Sequence, residues 1–318
     1  MSALTATTQP VPASSVGRLI HRHPVAAFLV LVYGISWAFY IPSFLSRSGI
    51  GLLPFDLIAL YFNLPAVIFG ITLASYIVTR VTRGQEGVRE LRRRYTHWRV
   101  GLHWYLLALF APPFTALLGA SLWLGTAPLA AFADRWQLLF TTFVPYALLN
   151  VVLINICEEG GWTGFLLPRL QERWGPLTSS LLVAAAFALF HVPLIFIVGG
   201  LGEERIPPDR YWFYFVFLFV ISPPVRVLVT WFWNSTRGSV LVVALLHGAW
   251  NTTTDTKFTP EFVPGDTLWV WGVYAALALL VIALTRGRLG YRHGGATPGA
   301  DADRVFNTRA MERNHATR

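Results

Sequence analysis

The sequence predicts an all-α, polytopic membrane protein of about eight transmembrane helices, and three observations carry that expectation. Of its 318 residues, 54% are hydrophobic and only 13% are charged, about half the charged share of a soluble domain. The mean hydropathy is +0.52. Apolar runs of the length that crosses the hydrocarbon core as a helix, about 20 residues, recur along the chain between breaks marked by charge, Gly or Pro.

The runs start near Val25, Leu57, Leu102, Tyr146, Leu177, Tyr211, Ser239 and Leu268. The first follows a polar segment containing Arg18 and Arg22 and has no small-residue cleavage site close behind it, so it reads as a retained span rather than a signal peptide. Pro65, Pro112, Pro113, Pro223 and Pro224 fall inside runs. They would break helices in water, whereas in a bundle neighbouring helices and waters satisfy the freed carbonyls. Trp98, Trp104, Tyr105, Trp136, Tyr211, Trp212, Trp231, Trp233, Trp269 and Trp271 cluster at run ends, as an interfacial belt requires. No internal repeat is evident, which leaves an inverted-repeat transporter fold without support.

The formal net charge of +9 admits either nucleic acid or a membrane surface as a partner. Placement decides for the lipid bilayer and against nucleic acid: the basic residues are arginines between apolar runs, with Lys257 the single lysine, and no basic stripe interleaved with aromatics exists. One cysteine, Cys157, excludes an internal disulfide and a thiolate metal site.

Orientation follows from arginine bias. The stretch 80–99 holds Arg80, Arg83, Arg89, Arg92, Arg93, Arg94 and Arg99. Placing it inside also places Arg18, Arg22, Arg169, Arg173, Arg237 and the Arg-rich tail inside. The opposite side then keeps Arg47, Arg135, Arg205, Arg210 and Lys257 beside Glu203, Glu204, Asp255, Glu261 and Asp266. The expected organisation is a cytoplasmic tail over 1–24, N-terminal transmembrane helices over 25–136 with a basic cytoplasmic loop at 80–99, a core over 137–255, a loop and last helix over 256–285, and a disordered cytoplasmic tail over 286–318. Both termini are expected to be cytoplasmic, in the cell's inner (plasma) membrane.

Ionisable residues inside a span cost about 2.5–3.5 kcal/mol on insertion scales and are functional candidates by default. Here they are Glu158, Glu159, His191, Arg226 and His247, with Asn251 on the same run as His247. Counted at about 1.5 Å per helical residue from a turn at 172–175, Glu158 lies roughly 23 Å and His191 roughly 26 Å along their helices. From a turn near Thr236, His247 and Asn251 lie at roughly 16 and 22 Å, on one helix face. Four polar groups thus converge on one layer. Glu158 and Glu159 are adjacent, so their side chains diverge by about 100° and must differ in role.

A desolvated Glu158 beside His191 has the chemistry to activate water. His247 and the Asn251 amide are donors suited to a tetrahedral oxyanion. Nucleophilic catalysis is disfavoured, because Cys157 diverges from Glu158 and no serine has an evident histidine partner. Trp162 and Phe187 lie at nearly the same level and either wall the site or pack beside it. His21, His23, His97 and His103 flank runs and read as interfacial.

The motifs EEGGWTGFLLPRL from Glu158, FxxxH from Phe187 to His191 and HxxxN from His247 to Asn251 resemble the three motifs of the CAAX-protease and bacteriocin-processing family, which includes the type II CAAX prenyl endopeptidases. The resemblance spans roughly Tyr146 to Thr254. It implies an intramembrane endopeptidase acting on a membrane-associated protein or peptide, with 137–255 as catalytic core, Glu158 as water-activating base, His191 as its partner, and His247 with Asn251 as oxyanion stabilisers. One position departs: the family's first motif ends in Arg, and here Thr163 stands in that place. Arg226 either supplies the missing cation to Glu159 or extends to the cytoplasmic interface.

Other readings stay open. Glu158, His191 and His247 with a water could form a zinc site, although no HExxH helix is present and no carboxylate second shell is evident; the metal-free mechanism is favoured. The same Glu158, Glu159, His191 and Arg226 could instead serve a transporter or proton pathway, or the chain could be a non-catalytic membrane partner.

Overall fold

In hydrocarbon every backbone polar group must find its partner within the protein, which leaves the helix as the local solution for an apolar chain without strand signals. The computed structural model describes residues 14–201, 204–254, 258–263 and 269–291, and among these there are helices and turns but no strand. The α-helices are α1 Ser15–Arg22, α2 Pro24–Leu45, α3 Leu60–Pro65, α4 Leu73–Tyr95, α5 Leu102–Leu124, α6 Ala127–Asp134, α7 Val144–Asn150, α8 Ile156–Gly161, α9 Leu167–His191, α10 Tyr211–Ser235, α11 Val240–Thr254 and α12 Trp269–Thr285. Five helical stretches are long and apolar enough to cross a membrane: Pro24–Leu45, Leu60–Tyr95, Leu102–Leu124, Leu139–Phe196 and Pro208–Ser235. The chain is a multi-pass, all-helical membrane protein. Of the expected tails over 1–24 and 286–318, residues 1–13 and 292–318 lie outside the described residues, as do Glu203, Asp255, Lys257 and Asp266.

Leu139–Phe196 is one helical stretch only by bookkeeping of hydrogen bonds. At Gly175 the backbone turns to φ 72°, ψ 177°, a region open to glycine. Residues 158 and 191 on one straight helix would stand about 50 Å apart, yet their side chains come within 4.0 Å. The helix therefore folds back at Gly175, next to Pro176, and α8 lies beside the second half of α9.

The basic stretch corrects the expectation of a loop over 80–99. Residues up to Tyr95 stay helical, with a break at Gly84 (φ 60°, ψ −154°) that redirects α4. Its charges explain why it does not unravel. Glu90 accepts from Arg83 at 2.8 Å and from Arg94 at 2.6 Å, and Arg94 also donates to the Gly164 carbonyl. The arginines are thus tied to the helix that carries the two glutamates.

π-helical turns flank that helix on both sides, Val151–Asn155 before α8 and Trp162–Leu166 after it. Each inserts an extra residue per turn and shifts which side chains face inward, a device frequent at functional sites. Two glycines let neighbours approach α8. A Cβ on Gly160 would sit 1.7 Å from the Tyr95 hydroxyl, and one on Gly161 would sit 2.2 Å from Ile71 Cγ2. Trp162, Phe165, Phe28 and Ile71 form the buried core around this crossing. α11 packs against α5, α7, α8 and α10, which brings His247 to the same level.

Candidate active site

The site forms where α8, the end of α9, α10 and α11 meet. Glu158 and Glu159 come from α8, His191 is the last residue of α9, Arg226 lies past Pro223 and Pro224 in α10, and His247 is in the middle of α11. Glu158, Glu159, Arg226 and His247 are all buried.

Glu159 is the best-satisfied member. The Arg226 Nη1 donates to its two oxygens at 2.9 and 3.0 Å, His247 Nδ1 donates to Oε1 at 2.7 Å, and the Thr163 hydroxyl donates to Oε2. Of the two courses open to Arg226, the structure takes the pair: its side chain is 1% exposed, so it does not extend to the interface. Thr163 is not idle either. It offers no charge, but one helical turn after Glu159 its hydroxyl completes the carboxylate's shell beside Arg226.

Glu158 has a different environment. His191 Nε2 stands 4.0 Å from its Oε1, and His247 Nδ1 stands 3.7 Å from its Oε2. Neither distance is a hydrogen bond. His191 Nδ1 is engaged elsewhere, 2.8 Å from the Phe187 carbonyl one turn back. A carbonyl only accepts, so Nδ1 carries the proton and the Nε2 lone pair faces Glu158. The FxxxH spacing thus has a local cause, since the fourth residue along a helix is the one within reach of that carbonyl.

Phe187 holds the group together by contact. The Arg226 guanidinium carbon lies 3.9 Å from its ring centre, and its ring lies 4.4 Å from that of His191 and 5.7 Å from that of His247. Trp162 meets Phe187 edge-on at 6.1 Å from behind, fully buried, and also packs on Phe28 and Phe190.

Two details of the arrangement lie beyond the sequence reading. α11 lies in the wedge between Glu158 and Glu159, and His247 approaches both. His247, expected to act with Asn251 on an oxyanion, also places its Nδ1 on Glu159. Asn251 stands one turn further along α11, half-buried, with no hydrogen bond or ion pair to Glu158, Glu159, His191, Arg226 or His247 among the described residues. Sequence reasoning also passes over Asn155, three residues before Glu158 and fully buried. The signal was an amide in an apolar run directly upstream of the first motif. Among the described residues no three His, Cys, Asp or Glu side chains are grouped as a metal would require.

Residues 139–253 match the family model described as type II CAAX prenyl endopeptidase Rce1-like. A relative from Methanococcus maripaludis, "CAAX prenyl protease 2", is 29% identical over 107 residues, a match that covers 34% of this chain and 38% of that protein. No solved structure matches the chain. The matched segment contains Glu158, Glu159, His191, Arg226, His247 and Asn251, the whole polar layer just described. Residues 139–253 of the chain, with the buried site inside them, are similar to the Rce1-like type II CAAX prenyl endopeptidases.

Proposed function

We propose that the chain is an intramembrane endopeptidase that hydrolyses a peptide bond in a membrane-associated protein or peptide, using water activated between Glu158 and His191. The observation that carries this reading is the 4.0 Å separation of Glu158 Oε1 and His191 Nε2, with His191 Nδ1 fixed on the Phe187 carbonyl. Both facing atoms are acceptors. A single water at about 2.8 Å from each gives one proton to the carboxylate and one to the imidazole. Its oxygen lone pair is then directed at a substrate carbonyl.

In the reaction the water oxygen bonds to the carbonyl carbon while Glu158 takes its proton. The carbonyl π pair moves onto oxygen. When the C–N bond breaks, the proton passes from Glu158 to the leaving amine, which leaves a carboxylic acid product that keeps the second water proton, a free amine and a regenerated base. Glu159 is not suited to this task, because three donors already occupy it. Its role is to orient: Arg226 cancels its charge, and it holds His247 by Nδ1 with the far side of the ring turned away. A second proton on His247 would balance the charge of Glu158 and provide an Nε2–H for the oxyanion. Asn251 is the other proposed donor.

The donor geometry supports a reaction without a metal. Tetrahedral zinc holds its N and O ligands at about 2.0–2.2 Å, hence roughly 3.3 Å from one another. The corresponding separations here are 4.0 and 3.7 Å, and His247 Nδ1 is already bound to Glu159. The name of the archaeal relative and of the matching family suggest a prenylated, CAAX-terminated peptide as the substrate to try. The arginine distribution supports residues 80–99 and both termini on the cytoplasmic side of the plasma membrane.

The test is a cleavage assay on the purified chain in proteoliposomes, with a quenched fluorescent farnesylated CAAX-terminated peptide and mass analysis of the products. Cleavage by the wild type and none by His191→Ala supports the reading. Equal cleavage by both would refute it.

A further inference from the structure

Asn155 is a polar side chain beside the two glutamates that the mechanism does not use. It ends the π-helical turn Val151–Asn155 and begins the turn that carries Glu158 and Glu159 three and four residues on, so the three share a face of the helix. Its side chain is a polar neighbour of the Glu158 carboxylate. On its other side it reaches α11: a Cβ on Gly248, next to His247, would lie 3.1 Å from Asn155 Oδ1. Asn155 therefore sits between the proposed base and the helix of the proposed oxyanion donor.

It is also unsatisfied. The residue is 0% exposed, and apart from a loose approach to the Glu158 carboxylate neither its Nδ2 nor its Oδ1 closes a hydrogen bond of ordinary length and angle among the described residues. An amide that glues helices does so by bonding to the neighbour. Leaving donor and acceptor both open in a buried place costs free energy that a leucine of the same shape would not. A group kept there at such a cost is one whose partner arrives with the substrate.

We infer that Asn155 is a further catalytic residue, whose Nδ2–H donates to the substrate carbonyl oxygen as it becomes the oxyanion, opposite the water held by Glu158. The inference rests on the endopeptidase reading. It assigns to the π-helical turn just before α8 a donor beside those on α11, and it fits a site in which Asn251 makes no polar contact with the other members among the described residues.

The experiment compares wild type, Asn155→Leu, Asn155→Ala and Glu158→Gln, each as full-length chain in proteoliposomes with the farnesylated CAAX-terminated peptide. Thermal unfolding in detergent is measured in parallel. Both Asn155 variants should lose about 10²- to 10³-fold in kcat with KM within about threefold of wild type. Asn155→Leu should also unfold at a midpoint roughly 2–4 °C higher, because it removes an unpaired amide without changing shape. A kcat within threefold of wild type in Asn155→Ala would overturn the inference, and so would a midpoint for Asn155→Leu equal to or below that of wild type. The unfolding arm needs no substrate, so it decides even if this peptide is not cleaved. Activity retained in Glu158→Gln would defeat the parent reading instead, whereas a silent Glu158→Gln with fully active Asn155 variants would defeat this inference alone.

Discussion

The Arg226 guanidinium reaches across 67 residues of sequence to place one nitrogen 2.9 and 3.0 Å from the two carboxylate oxygens of Glu159, both side chains being buried. It does so from a helix loosened by Pro223 and Pro224, with its carbon resting on the Phe187 ring. The pair gives Glu159 the cation that Thr163, one helical turn further on, does not supply.

A buried pair of this kind shows itself when one partner is removed. Arg226→Ala leaves Glu159 charged and buried and should destabilise the protein by about 3–5 kcal/mol. Adding Glu159→Gln should recover much of that loss, a coupling of at least about 1 kcal/mol in a double-mutant cycle followed by unfolding in detergent. Thr163→Val keeps the shape and removes one hydroxyl donor to a carboxylate, with an expected loss of about 1.5–3 kcal/mol. Additive losses for Arg226→Ala and Glu159→Gln would show that the pair is not formed.

The contact between Gly160 and Tyr95 makes a second prediction. With a Cβ 1.7 Å from the Tyr95 hydroxyl, Gly160→Ala must push the ring aside, at about 1–3 kcal/mol in unfolding free energy. In Gly160→Ala/Tyr95→Ala the clash is gone, so the combined loss should be smaller than the sum of the single losses. A strictly additive double variant would place Tyr95 away from α8.

Much of this was legible in the sequence because it depends on distance along single helices. Counting from the turn at Gly175 puts Glu158 and His191 at one depth, and the Phe187 to His191 spacing fixes a hydrogen bond within one helix. What the sequence does not contain is the rotation of one helix against another. The shared helix face links His247 to Asn251, whereas its hydrogen bond to Glu159 depends on α11 lying in the wedge between Glu158 and Glu159. The helical course of residues 85–95 escaped for a different reason. A dense arginine run reads as a loop until Glu90 and the Gly164 carbonyl, which neutralise and hold it, are seen in place.

Metal removal gives a third test. Treatment with 1,10-phenanthroline or EDTA followed by desalting should leave cleavage of the farnesylated peptide unchanged, since the facing donors are spaced for a bridging water and one histidine nitrogen is committed to Glu159. Activity lost to chelators and restored by zinc would establish the metal-dependent version.

The orientation is open to reporter fusions. A fusion after Arg94 should behave as cytoplasmic, because the opposite topology would carry at least the arginines at 80, 83, 89, 92, 93 and 94 across the membrane. A periplasm-active reporter at that position would invert the topology.

The most direct measurement is the single-turnover cleavage rate of Glu158→Gln against wild type in proteoliposomes, with thermal unfolding as a control on folding. Glutamine preserves the shape and cannot accept the water's proton, so the rate should fall below detection while the unfolding midpoint stays within a few degrees of wild type. Cleavage by Glu158→Gln at the wild-type rate would contradict water activation by Glu158 outright.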